Sequence, residues 1–266
     1  MSESQIPTVN VVNTPVSALL FEGQIDTIFG WAKRRISKFV CVANVHMLME
    51  AHWNQEFRKV LENADLVTPD GMPLVWLMRL LGCQGQDRVA GLDIFLSVCQ
   101  RAQECGHKIY FLGSTDDVLV RMREKLAKDF PKLHIAGMMS PPFRELTAAE
   151  DAALVDAVNS SGAEIVFVAL GCPKQERWMQ HHHGHINAVM LGVGAVFSLY
   201  AGCQKRAPLW VREAGLEWLY RLLQEPKRLW KRYGTTIPPF LWLASQQVMA
   251  MAFNKVFRQL DAPSRT

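Results

Sequence analysis

Asp70 is the side chain on which chemistry can most readily be built. It stands in Thr68-Pro69-Asp70-Gly71, a polar turn between the apolar pair Leu66-Val67 and the apolar run Met72 to Leu81. Pro69 fixes its own φ and drives Thr68 towards extended backbone, and Gly71 permits a sharp change of direction. A carboxylate at such a bend is either a cap or turn former, the commoner use of an isolated Asp there, or a general base. The polar and glycine-bearing positions that can work with it are Asn44, Arg88, Gly113-Ser114, Gly171 to Glu176 and Gly192-Val193-Gly194. Gln175 and Glu176 read equally well as polarity at a helix start and as hydrogen-bonding groups for a sugar or base.

Other chemistries find less support. Glycines after strands let backbone N–H groups approach a phosphate. Yet no G-x-G-x-x-G opens a helix after the first strand and no G-x-x-x-x-G-K-[ST] occurs, so a plain dehydrogenase or NTPase is disfavoured. There is no D-x-D pattern to hold a divalent ion against a diphosphate, and Asp116-Asp117 reads as a helix opening. His181-His182-His183-Gly184-His185 looks like a metal tract. Adjacent histidines point in different directions on a helix, and no acidic or Cys partner stands at useful spacing, so it reads as a solvated helix end. No metal and no cofactor are expected.

Short apolar runs, each followed by a polar turn and a helical pattern, must position these groups. Strands are predicted at Val9–Val12, Phe39–Ala43, Leu66-Val67, Lys108–Leu112, Leu133–Met138, Glu164–Leu170 and Ala188–Val193. Helices are predicted at Pro15–Arg34, Val45–Leu61, Met72–Leu81, Ile94–Cys105, Asp116–Phe130 and Ala148–Ser160, the last with a Thr147/Glu150 capping box. Repeated strand–turn–helix units indicate an α/β fold with an open, mostly parallel, Rossmann-like sheet flanked by helices. The candidate residues follow strands directly, so they gather on the rim at the strands' carboxyl ends, where such sheets bind ligands.

At 266 residues, with 49% hydrophobic and 20% charged, the chain has ample material for a core and the wrong composition for disorder. Its formal net charge of +4 is mild, and the cations are denser late in the chain. Residues 1–207 form the predicted catalytic domain and 208–266 a helical appendage. Leu209 to Tyr233 mixes aromatic and apolar residues with Arg212, Arg221, Lys227, Arg228, Lys231 and Arg232. Arg221, Arg228 and Lys231 have i, i+7, i+10 spacing and share a face if the helix is continuous, although Pro226 interrupts or restarts it. Ile237 to Phe257 is rich in Trp, Phe and Met. A basic, aromatic-edged segment of this kind suits an anionic membrane surface or a subunit interface. The six cysteines lack C-x-x-C spacing and read as reduced thiols of a cytoplasmic protein. The polar start lacks a signal-peptide pattern, and no run of about 18 clean apolar residues occurs.

The order of motifs is distinctive. TPDG after a strand is followed by R-V-x-G-x-D at Arg88 to Asp93, G-x-P-x-Q-E at Gly171 to Glu176, and G-V-G-A-x-F at Gly192 to Phe197. Then come Arg206-Ala207-Pro208, G-L-E-W-L-Y-R-L at Gly215 to Leu222, and E-P-x-R-L-W-x-R-Y at Glu225 to Tyr233. This resembles the WecG/TagA/CpsF family of bacterial glycosyltransferases, glycosyltransferase family 26, from about Val40 to Tyr233. The resemblance implies an inverting, metal-independent transferase. It moves a sugar (N-acetylmannosamine, N-acetylmannosaminuronate or glucose type) from a UDP-sugar to a polyprenyl-diphosphate-linked saccharide for cell-surface polysaccharide. It also implies an appendage that docks on the inner face of the cytoplasmic membrane and lends cations to the site.

Matched residue by residue, Asp70 is the family's general base and Asn44 the polar residue of its T-x-N motif, with Val42 where that motif has Thr. Arg88 and Gln175 match site-lining positions, and Arg221, Arg228 and Lys231 match the appendage cations. Thr68, Gly113, Ser114, Gly171, Glu176, Gly192, Gly194 and Arg206 complete the candidate substrate-binding set. No nucleic-acid partner is expected. A homo-oligomer that hides the appendage's apolar face remains open, as does a UDP-sugar-binding module without catalysis.

Overall fold

The computed structural model describes residues 6–260. The chain opens with an antiparallel hairpin, β1 (Thr8–Val11) and β2 (Thr14–Ser17), turning through Val12 and Asn13 at φ 47° and 63°. Two successive left-handed residues match the twist of paired strands. The helix predicted from Pro15 begins later: Pro15 to Ser17 pair in β2, and α1 spans Phe21–Arg34. Next come β3 (Lys38–Ala43), α2 (Val45–Trp53) and α3 (Gln55–Glu62). The single helix predicted over Val45–Leu61 is divided by Asn54, whose extended backbone ends α2 and whose side chain caps α3 by accepting from Phe57 N–H.

The body continues through β4 (Leu66–Pro69), α4 (Met72–Leu80), α5 (Gly91–Cys105), β5 (Lys108–Gly113), α6 (Asp116–Asp129) and β6 (His134–Met139). It then runs through α7 (Ala148–Ser160), β7 (Ile165–Ala169), α8 (Lys174–His181), β8 (Val189–Gly192) and α9 (Val196–Tyr200). The predicted capping box at Thr147/Glu150 opens α7. Three helices follow: α10 (Leu209–Glu213), α11 (Glu217–Gln224) and α12 (Pro226–Leu260).

The six strands β4-β3-β8-β7-β5-β6 pair in that order, all parallel. Interior strands read as unbroken apolar runs because both faces are covered, and all five residues of β7 are buried. One face packs α1, α5, α6 and α9 around Phe95, Phe111, Phe167 and Phe197, with Phe95 and Phe167 ring centres 4.9 Å apart. The other packs the hairpin, α2, α3, α4, α7 and α8 around Phe39, Met47, Phe57 and Met190. The result is the open, parallel, Rossmann-like α/β sandwich that the sequence predicts.

The last helices fold back on this body. Phe240 of α12 is buried in the second core. Gln247 accepts from Val12 N–H at 3.0 Å and donates to the Asn10 carbonyl at 2.6 Å, pinning α12 to the hairpin. Pro226 starts α12, and the helix continues through Pro238 and Pro239. No helix among the described residues is long and apolar enough to cross a membrane.

Candidate active site

Asp70 lies just beyond β4. Its N–H donates to the Ala43 carbonyl at 2.7 Å, extending the β3–β4 pairing by one bond. Gly71, at φ 108°, then turns the chain into α4 and is itself the N-cap residue, with no side-chain cap bond. The Asp70 carboxylate is therefore not spent on capping α4. Gly91, the first residue of α5, donates its backbone N–H to that carboxylate. Burial pushes the Asp70 pKa up to about 7, Glu217 adds to the rise, and Arg88, Arg221 and the Gly91 bond oppose it.

The carboxylate opens into a cavity of about 670 Å³ between the strand ends and α10–α12. Asn44, His46 and Arg88 line it from the body, and Arg212, Glu217, Arg221, Arg232 and Tyr233 from the C-terminal helices. Arg88 is held by Glu217 at 2.7 Å and by Asp93 at 3.4 Å. Arg221 and Arg232 have no carboxylate within ion-pair distance among the described residues. The Arg232 Nε is buried with no hydrogen-bond partner among the described residues, and burial lowers the pKa of this guanidinium. A half-buried, unpaired guanidinium is costly unless an anion completes it. Burial, with Arg232 second, holds the His46 pKa down at about 4, so His46 is neutral at pH 7 and its 3.7 Å approach to Glu50 is not an ion pair there. Asn44 caps α2 by accepting from Met47 N–H and also lines the cavity.

Residues 9–253 match the glycosyl transferase WecG/TagA/CpsF family. The chain belongs to that family. It is 34% identical over 229 residues to an N-acetylglucosaminyldiphosphoundecaprenol N-acetyl-beta-D-mannosaminyltransferase of Bacillus spizizenii, covering 85% of this chain and 86% of that one. An enzyme of the same name from Bacillus subtilis is 30% identical, covering 85% and 84%.

Not every sequence-derived candidate of this family member reaches the cavity. Asn44, Asp70, Arg88 and Arg221 do. Arg228 and Lys231 do not. Both are exposed, and Arg228 pairs with Glu225. The chain breaks at Glu225 between α11 and α12, so the i, i+7, i+10 phase is lost, and Arg232 rather than Lys231 faces inward. Arg206 sits on Asp93, which also holds Arg88. Thr68 is buried in β4 with its hydroxyl unpartnered. Val42 packs on the α5 start, with its Cγ1 3.4 Å from where a Gly91 Cβ would stand.

Gln175 and Glu176 are buried together beneath the rim. Gln175 donates to Glu176 at 2.6 Å and accepts from Gly171 N–H, and its side chain lies beside the β8 end, 3.1 Å from where a Gly192 Cβ would stand. Burial raises the Glu176 pKa to about 7, and its second oxygen has no partner. Gly113, at φ 115°, ends β5, the next strand beyond β7, and Ser114 N–H donates to the Ala169 carbonyl. None of these seven candidate residues lines the Asp70 cavity.

The histidine tract departs from its solvated reading at one position. His182 is buried, with Nδ1 2.8 Å from the Trp178 carbonyl and Nε2 2.8 Å from Asp151. Asp151 comes from α7, too distant in sequence for local spacing to reveal. Asp151, His181 and His182 bring ligand atoms within 4.8 Å of one another, but none of them lines the Asp70 cavity. His46, Arg212, Glu217, Arg232 and Tyr233 are cavity residues absent from the sequence-derived set. Glu217, Arg232 and Tyr233 lie in the quoted C-terminal motifs, which offered a signal. Arg212 stood among the cations of the basic appendage, and His46 offered none.

Proposed function

We propose that this chain transfers N-acetylmannosamine from a UDP-sugar to a polyprenyl-diphosphate-linked N-acetylglucosamine, with inversion and without a metal ion. The observation that carries the reading is the pairing, in one cavity, of a carboxyl poised near pH 7 with two unpaired arginines, Arg221 and Arg232. The names of the relatives support the sugar and the acceptor. Asp70 takes the proton of the acceptor hydroxyl as that oxygen bonds to the anomeric carbon. The leaving UDP gains negative charge, and Arg221 and Arg232 stabilise it from fixed positions. Their carriers, α11 and α12, also form one wall of the site.

On this reading the outer surface of α10–α12 rests on the anionic inner leaflet. Trp210, Leu223, Trp230 and Trp242 are exposed there, interleaved with exposed Lys227, Arg228 and Lys231. The test is UDP release by the purified protein, given a panel of UDP-sugars, a lipid-linked N-acetylglucosamine acceptor and excess chelator. Release with UDP-N-acetylmannosamine alone, and only with acceptor present, is expected. UDP binding without release under any pairing would instead mark a binding module.

A further inference from the structure

The cavity that holds Asp70 is chemically divided. One end carries the charged groups described above. The rest is a trough between two helices. Along α4, Met72, Trp76 and Leu80 stand four residues apart and share a face; along α12, Ile237, Leu241 and Val248, four and seven residues apart, also share one, and both faces line the cavity. On α12 a single face passes from Arg232 to Met249, about 25 Å at the helical rise per residue. A sugar nucleotide has no use for that length of apolar wall. Trp76, Leu80 and Leu241 are 44%, 59% and 58% exposed although they line the same trough. A contiguous apolar surface left wet in this way marks a binding site.

The charge beside the trough identifies its occupant. Arg212 lines the cavity with no carboxylate partner among the described residues. Its carbonyl accepts from Gly215 N–H, and Gly215 lies flat on Trp76, where a Cβ would stand 2.5 Å from the indole. Arg212 thus shares the cavity with the apolar face of α4, a cation beside apolar side chains. A diphosphate joined to a linear isoprenoid has the matching pair of groups.

We propose that the trough between α4 and α12 seats the first isoprene units of the acceptor lipid, with the acceptor's diphosphate against Arg212. This deepens the reading of a lipid-linked acceptor and rests on it. It means that the protein itself grips the lipid and draws its head-proximal units out of the bilayer to bring the sugar to Asp70.

The test is calorimetric titration of the full chain, without detergent or membrane, with farnesyl diphosphate and with inorganic diphosphate. Farnesyl diphosphate should bind at least about 100-fold more tightly, because it buries a chain of many carbons. Leu80→Gln and Leu241→Gln, both at exposed positions, should shrink that ratio by about tenfold or more with melting temperatures little changed. Arg212→Ala should weaken both ligands. Equal affinity for the two ligands, or a wild-type ratio in both glutamine variants, would overturn the proposal. Binding is read here without turnover, so the two readings fail separately. Farnesyl selectivity with no transfer from any UDP-sugar would sink the reaction and leave the trough. Full-rate transfer to a single-isoprene acceptor would sink the trough and leave the reaction.

Discussion

At the scale of single residues, the site rests on the environment of one carboxylate. As the proposed base, Asp70 must be ionised to accept a proton, and burial holds its pKa near 7. In the free enzyme, kcat/KM should therefore rise with pH and level off above about 7. Asp70→Asn should remove that limb and lower the rate by about 100-fold or more, read in a pH series of UDP release. Glu217 raises this pKa and also occupies Arg88, which lowers it. Glu217→Gln should thus move the limb to lower pH, and a limb that stayed in place would remove Glu217 as its cause. The same burial has a cost in stability. The carboxyl's folded pKa exceeds its unfolded one, so its contribution is full below about pH 4 and is lost as pH rises through about 7. Asp70→Asn should raise the melting temperature at pH 8, by roughly 2 kcal/mol in stability after screening through the open cavity, and leave it nearly unchanged at pH 4.

At the scale of elements, the break at Glu225 decides which cations line the cavity. Arg232 faces inward on α12, while Arg228 faces solvent one turn earlier. Arg232→Ala should reduce kcat by about 100-fold, the usual loss when one preorganised charge contact is removed, and Arg228→Ala should leave turnover of a water-soluble acceptor within about twofold. Equal losses in a side-by-side assay would mean that the phase of α12 differs in the working enzyme. This element also shows how far sequence alone reaches. Strand–turn–helix repetition, being local, located the sheet, its rim and Asp70. Pairing across the fold was not legible. Arg88 with Glu217, His182 with Asp151 and Gln175 beside the β8 end each bring together groups that no short-range period relates. The α11–α12 break was signalled by Pro226, but the helical phase beyond it depends on how the chain turns at Glu225, and that turn is set by packing. Val16 and Ser17 went to a strand because the facing strand β1 was available, against a helical spacing that continued only further on.

At the scale of the molecule, the proposed catalytic and membrane-facing roles fall on opposite sides of one set of helices. Inward, α11 and α12 supply Arg221 and Arg232; outward, they show Leu223 and Trp230 beside Lys227, Arg228 and Lys231. The two roles should therefore separate by mutation. Each cation close to an anionic bilayer contributes on the order of 1 kcal/mol. Neutralising Lys227, Arg228 and Lys231 together as glutamines should weaken binding to phosphatidylglycerol vesicles by roughly 100-fold, while vesicles of neutral lipid bind both proteins poorly. Because those three side chains lie outside the cavity, the variant should keep its rate on a short, water-soluble acceptor. It should lose rate only when the acceptor is embedded in a bilayer, and high salt should reproduce that loss in the wild type. If the triple variant failed equally on the soluble acceptor, these cations would belong to the chemistry. The division of α11–α12 into a catalytic side and a membrane side would then have to be abandoned.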